Sequence, residues 1–468
     1  MSYFAGRLKS INPSPDNRRW LYVAYDQLSH EIGPLARERA EELAVVLIEN
    51  PAKAARRPYH RQKLAWILCQ QRQFALELAA RGVHVDYRVG DYAEVLQGRP
   101  GLRMQEAAEL ELRRELAPLI ERGQIEVLPH EGWLTTREQF LACKGPPWRM
   151  DAFYRQVRRD TGWLMEKGKP VGGKFSFDAE NRQPWKGQPP APEPPRFGLC
   201  ELREEVEGLI RARFSEHPGH LDSTWIALTQ EEIEGFWKWA QEQCLPHFGP
   251  YEDAMTTRST GLFHTRISPL MNLHRLLPRR VIGDALKLPL ELASQEGFLR
   301  QILGWREFVR HVHRETEGFA ELELLGGQEP LPAAYWGKAS GLACLDRVVA
   351  DVWQEGYSHH ITRLMILCNL ATLLDISPRE LSDWFWVAYI DAFDWVVEPN
   401  VLAMGTFGVG DVMTTKPYVS GSAYIDRMSD YCQGCAFDPK STCPITPMYW
   451  AFLERHRERL LGTPRMGI

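Results

Sequence analysis

The 468-residue chain has no run approaching the ~18 apolar residues of a membrane-spanning helix, so a membrane anchor is not expected. The first twenty residues mix Arg7, Lys9, Asp16 and Arg18 without an apolar core, so no secretory leader is expected and the protein is placed in the cytoplasm. Neither GxGxxG nor GxxxxGK[ST] occurs, which removes the usual glycine cradles for dinucleotides and triphosphates. There is no basic excess: the net charge is −5, so bulk charge cannot coat nucleic acid, although a local basic groove remains open. Cysteine is scarce, nine residues thinly spread until three bunch near the end, which argues for a reducing compartment with a metal site over a disulfide framework. What is plentiful is tryptophan, sixteen residues, ten of them after position 202.

The first half alternates strand-like and helix-like segments. Residues 20–25 and 44–48 are short apolar runs, and 60–81 has apolar residues at helical spacing ending at Gly82. Residues 83–89 alternate as a strand, 104–122 read as a helix and 125–128 as a further strand. This rhythm predicts a doubly wound parallel sheet. Residues 168–198 are rich in proline and glycine and read as a crossover, with Lys174, Arg182 and Lys186 interleaved among Phe175, Phe177 and Trp185 as a linker or a nucleic-acid contact. Beyond 202 the strand signals stop, and helical spacing runs through 231–244, 289–317, 342–374 and 379–393. The chain reads as an extension (1–20), an α/β domain (21–150), a connector (151–200) and an all-helical domain (201–468).

Several constellations could carry chemistry. Cys432-Gln-Gly-Cys435 followed by Cys443-Pro444 gives three of four thiolates for a metal, with Cys344 or Cys368 as the fourth. Zinc and an iron–sulfur cluster both accept this pattern, Cys-Pro leaning to iron–sulfur; buried free thiols and a CxxC redox pair are the other readings. His359 and His360 lie in a run read as helix, where neighbours point about 100° apart, so that only one could face a given cavity. His264, Thr265, Arg266 and Ser268 before Pro269 form either a helix cap or a seat for a diphosphate. Trp305, between Gly304 and Arg306-Glu307, is core beside a solvated ion pair or the stacking wall of a pocket. Asp391, Asp394, Trp395 and Asn400, with Tyr418 and Tyr424 downstream, could orient a mostly apolar heterocycle.

Taken in order, the segments QILGWREF, YSHHITRLM, IDAFDWVVEPNV, KPYVSG and YIDRMSDYCQGC resemble the iron–sulfur bacterial branch of the photolyase/cryptochrome family, from about residue 21 to 466. The resemblance implies an α/β antenna domain, a long connector and a helical domain that holds FAD. It implies a [4Fe–4S] cluster on Cys344, Cys432, Cys435 and Cys443, with Cys368 a core thiol. It implies flavin contacts from His264, Thr265, Arg266, Ser268, Asn272, Arg306, Asp391, Asp394 and Asn400, and electron transfer through Trp384 and Trp336. The implied activity is light-driven repair of a (6-4) lesion flipped out of UV-damaged DNA by a monomer. His360 would be the proton donor with His359 beside it, and Trp305, Tyr418 and Tyr424 would line the pocket. A flavin photoreceptor without repair and a metal-stapled DNA-binding protein are the competing readings. Three departures from the family stand out. Lys53 and Arg56 occupy the acidic and tyrosine positions that commonly serve a ribolumazine antenna, and Tyr25 stands where glycine is common, which disfavours that chromophore. The loop between Cys435 and Cys443 is shorter than usual. Phe385 replaces a tyrosine found in some relatives.

Overall fold

The computed structural model describes residues 2–324 and 326–460. Residues 461–468, the end of the helical region expected from sequence, lie outside the described residues. Five parallel strands, β1 (Arg19–Tyr22), β2 (Leu43–Glu49), β3 (His84–Val89), β4 (Leu102–Gln105) and β5 (Ile125–Leu128), are ordered β3-β2-β1-β4-β5. In β2 the sequence LAVVLIE is apolar without alternation because the strand is buried on both faces. The helix Arg61–Ala80 closes the crossover from β2 to β3, and Gly82 follows it at φ +92°. Chain order reverses direction between β1 and β4, and beyond the carboxyl ends of these strands an α/β sheet leaves a crevice.

One expected helix is in fact two elements. Residues 104–122 divide into β4 and the helix Leu110–Glu121. In β4 only Leu102, Met104 and Gln105 are buried, too short a stretch to set a two-residue period against the helical spacing that follows. The first strand also stops at Tyr22, short of residue 25.

The N-terminal helix Tyr3–Ile11 buries Phe4 and Leu8, and Phe4 meets the ring of Tyr87 on the edge strand β3 at 4.5 Å. Asn12 continues that edge: its Nδ2 donates to the carbonyl of Val85 and its Oδ1 accepts from the Val85 N–H, both at 2.8 Å, filling ladder positions on β3 that would otherwise stay open. After the helix Met150–Thr161 the connector holds only a two-stranded ribbon (Met165–Glu166 with Lys169–Pro170) and single helical turns, in keeping with its proline and glycine content. Beyond it, among the described residues, the chain is helical apart from one isolated bridge, Glu329 to Ile376. Its first helix, Glu201–Arg213, lies on Arg61–Ala80, where buried Arg72 joins Glu49 and Glu205 at 2.6 Å each.

The run 342–374 is broken. The helix Ala343–Glu355 ends at Gly356 in the left-handed region (φ +66°), where a Cβ would meet Ile390 Cγ2 at 2.6 Å. Helix resumes only at His360–Thr362, continues as a π turn over Arg363–Cys368 and ends in Asn369–Leu373.

Candidate functional site

The break at Gly356 overturns the expectation that only one of the twin histidines can face a cavity. His359 is extended (φ −77°, ψ 169°) and precedes the helix that His360 opens, so helical angles do not separate the two rings. Both come to His264: its ring stacks on His359 at 4.5 Å between centroids and meets His360 edge-on at 5.1 Å. One ring nitrogen from each lies within 4.8 Å of the others. His264 and His359 are buried, whereas the His360 side chain keeps 41% of its exposure. Burial, then the neighbouring imidazoles, holds His359 and His264 well below the ordinary histidine pKa, so both are neutral near pH 7. His264 Nε2 sits 3.1 Å from the Glu252 carbonyl, and His359 Nδ1 is buried without a hydrogen-bond partner among the described residues. Asp253, absent from the sequence-based candidates, stands 3.7 Å from His360 Nε2, accepts from the Tyr424 hydroxyl at 3.4 Å and faces Arg182 Nε at 3.8 Å. No local pattern marked it; it is one acidic residue in a loop.

A second polar group surrounds Asp391. Arg363 grips its two oxygens at 3.1 and 3.0 Å, Ser268 Oγ donates to it at 2.7 Å, and Asn272 Nδ2 donates to its backbone carbonyl at 2.9 Å. Arg306 reaches Asn272 Oδ1 at 3.4 Å and pairs with Glu307 at 3.2 Å; both are buried, which corrects the solvated ion pair expected beside Trp305. Glu307 is not solvated because the Leu134 and Thr135 N–H groups and the Thr135 hydroxyl satisfy its other oxygen. Arg266, at φ +56°, pairs with Glu355 and lies over the Tyr357 ring at 4.3 Å. Thr265 is buried next to it, and Trp305 is half-buried on the π turn Arg300–Arg306. Asp394 and Asn400 lie apart from this group. Asp394 accepts from the Leu110 N–H at 2.6 Å and the Trp395 N–H at 2.7 Å, and Asn400 donates to the Val396 carbonyl at 2.8 Å within its own helix. Tyr418 is half-buried in the irregular segment before the helix Ser422–Met428.

Trp384 and Trp336 are joined by a third ring that the sequence reading missed. Trp353 lies 6.0 Å from Trp384 and 5.6 Å from Trp336, and Trp353 and Trp384 both donate to the carbonyl of Tyr335 (2.9 and 3.0 Å). Trp384 is buried and Trp336 is 45% exposed, so the three rings run from the core to solvent. The spacing from 336 to 353 and 384 follows no single helix, so periodicity could not reveal the line. Phe385 stacks on Tyr389 at 5.2 Å, which returns a phenol close to the position where the sequence lacks one.

Cys344 opens the helix Ala343–Glu355, Cys432 and Cys435 sit in a turn closed by Gly434 (φ +81°), and Cys443 precedes the helix Ile445–Arg455. Burial first, then Cys432, Cys443 and Cys435, pushes the Cys344 thiol up to about 12, so the four form one patch. Among the described residues no three of these thiols come within 4.8 Å of one another. A single tetrahedral zinc, with bonds of about 2.3 Å, would draw its sulfurs to about 3.8 Å. The patch is wider than that.

Beyond the carboxyl ends of β1, β2 and β4 opens an aromatic cleft lined by Tyr25, Lys53, Tyr59, Glu109, Trp386 and Phe393. Lys53 bonds Glu109 across it at 2.5 Å and lies over Tyr25 at 5.2 Å, whereas Arg56 turns to Glu111. Of the three residues that depart from a lumazine site, Tyr25 and Lys53 therefore line the cleft and Arg56 does not.

A family model described as deoxyribodipyrimidine photo-lyase-related protein matches residues 21–225. The chain is 32% identical over 469 aligned residues to a protein named (6-4) photolyase from Agrobacterium fabrum, covering 94% of this chain and 92% of the relative. Its fold is similar to a bacterial class III photolyase from Agrobacterium tumefaciens (TM-score 0.62, 14% identity, covering 95% and 93% of the two chains). It is also similar to an archaeal photolyase from Sulfolobus tokodaii solved with two FAD molecules (TM-score 0.60, 13% identity, 95% of each chain). With an α/β part built on a parallel sheet, a helical part and a full-length relative at this identity, the chain belongs to the photolyase/cryptochrome family, in its photolyase-related bacterial branch.

Proposed function

We propose that this protein is a light-driven DNA lyase that repairs (6-4) photoproducts in UV-damaged DNA as a cytoplasmic monomer. The observation that carries the reading is the half-open histidine: His360, part-exposed, flanked by Asp253 and Tyr424 and backed by the buried pair His264 and His359. A flipped-out base needs stacking and a few hydrogen bonds, and extrusion costs least where pairing is already broken. His360 is positioned to hand a proton to such a base. Asp253 stands beside that imidazole, and Tyr424 holds Asp253 in turn. Trp305 and Tyr418 are assigned to the pocket wall.

FAD fits the helical part: Asp391, Asn272, Arg306 and Thr265 are buried and Ser268 and Arg266 half-buried polar groups close in the fold, and Trp395 Nε1 has no hydrogen-bond partner among the described residues. When bound and reduced, the flavin supplies a photoexcited electron. Trp384, Trp353 and Trp336 are assigned to carrying electrons inward from solvent. Cys344, Cys432, Cys435 and Cys443 would hold a [4Fe–4S] cluster, whose larger core suits their spread. The chain is divided functionally as an extension (1–20), antenna domain (21–150), connector (151–200) and catalytic domain (201–468), and we assign no lumazine to the cleft.

The test is light-dependent loss of (6-4) lesions from a defined oligonucleotide. His360→Ala is expected to lower the repair rate by about a hundredfold or more with FAD content unchanged, the share a positioned proton donor contributes. Equal repair by parent and variant removes His360 from the mechanism. A protein that holds flavin, photoreduces it along the tryptophans and leaves the lesion intact is instead a flavin photoreceptor.

A further inference from the structure

The three histidines that meet at residue 264 form an arrangement that proton transfer does not require. One donor would suffice for the proposed chemistry, yet three imidazoles converge with one nitrogen from each inside 4.8 Å. Two of the three are buried, and the third opens to solvent. The buried Nδ1 of His359 has no hydrogen-bond partner among the described residues, an open lone pair or N–H that protein interiors normally avoid. On His264, Nε2 is engaged by the Glu252 carbonyl, which orients the ring as backbone carbonyls commonly orient a ligating imidazole. Asp253 stands 3.7 Å from His360 Nε2, within reach as an outer partner or a fourth ligand.

From this we infer that His264, His359 and His360 form a binding site for a divalent transition-metal ion, of the zinc or copper class, at the mouth of the lesion pocket. Imidazole nitrogen suits these ions, and three nitrogens with an open fourth position form a set that borderline metals accept. Metal–nitrogen bonds of about 2.0–2.1 Å put the ion in the plane of each ligating ring, so the part-exposed His360 must swing in and one ring of the stacked pair His264 and His359 must turn out of parallel. Magnesium and calcium, which prefer oxygen, are not the ions this set selects. A bound ion takes the nitrogen lone pairs that proton transfer would use, so the loaded form is the inhibited form. This consequence rests on the proposed lesion chemistry; the site itself does not.

The experiment is calorimetric titration of Zn2+ into the holoprotein in a non-chelating buffer, with bound iron measured before and after as the control for the thiol patch. The parent is expected to take up one Zn2+ with a dependence on His360: His360→Ala should weaken binding by about tenfold or more, and uptake by the parent should release no bound iron. The flavin spectrum of His360→Ala shows that it folds. A second measurement needs no variant: Cu2+ added to the parent should give an electron-paramagnetic spectrum split by nitrogen ligands. Absence of Zn2+ uptake, uptake indifferent to His360→Ala, or uptake that proceeds only as iron is released overturns the inference. So does a Cu2+ signal without nitrogen splitting. Zn2+ uptake at the histidines in a protein that repairs nothing leaves this site standing and sinks the lyase reading; repair in a protein that takes up no Zn2+ does the reverse.

Discussion

At the scale of single residues, Trp353 has a clear role. It touches Trp384 on the buried side and Trp336 on the exposed side, and it shares the Tyr335 carbonyl with Trp384, which locks the two indoles in a fixed relation. His60 stacks on it at 5.7 Å, and burial lowers the His60 pKa to about 4, so no positive charge sits beside the ring near neutral pH. A phenylalanine fills most of the same space and is far harder to oxidise. Trp353→Phe should slow light-driven flavin reduction by an external donor by about tenfold or more, equivalent to about 1.4 kcal/mol or more of barrier. Bleaching of the flavin band near the parent's rate would mean that electrons enter by another route.

At the scale of elements, two loop-to-helix junctions bring the chemistry together. Gly356 ends a helix so that the following turn presents His359 and His360 from extended backbone and a helix start. Cys344, at the start of that same helix, faces the turn of Cys432 and Cys435 and the approach to the helix Ile445–Arg455. A cluster held there would tie the last described helices to the helix that carries Trp353. Cys435→Ser should therefore abolish bound iron in the purified protein and lower the thermal midpoint by several degrees, because metal binding and folding are coupled. Iron analysis and calorimetry check the two parts separately. Iron bound at the parent level would remove Cys435 from the ligand set.

At the scale of the whole molecule, buried polar bonds join the α/β and helical parts. Lys63 donates to the carbonyls of Trp386 (2.6 Å) and Ala392 (2.7 Å), the Leu28 N–H donates to Leu273, and His274 Nδ1 meets the carbonyl of Asp26 at 2.7 Å. In this junction the Asp26 carboxyl is buried, and burial first, then Glu109, raises its pKa to about 7. An unfolded aspartate titrates near 3.9, so between about pH 4 and pH 7 the unfolded chain releases a proton that the native protein keeps. Stability from this group is full below pH 4 and is lost as pH rises to about 7. Asp26→Asn removes the dependence. Its stability relative to the parent should rise from pH 5 to pH 8, by on the order of 1–4 kcal/mol, measured by denaturant unfolding. A difference that stays flat with pH would show that Asp26 does not carry the proton.

The sequence by itself determined the parallel sheet and its crossover helix, because β2 and residues 60–81 are long enough for their apolar spacing to be unambiguous. It determined the four thiols and the twin histidines as candidates, because these residue types are rare and their order resembles a family. It did not separate β4 from the helix after it, since a four-residue strand holds too few side chains to set a period. It placed His359 and His360 on one helix, because the effect of Gly356 on the backbone is invisible in apolar spacing. Only the tertiary structure decided that His264 and Asp253 meet the twin histidines, that Trp353 stands between Trp384 and Trp336, and that Asp394 serves the junction with Leu110. The physical reason is common to all three. Local periodicity records which face of an element is buried, whereas contacts between separate elements arise only when those faces pack.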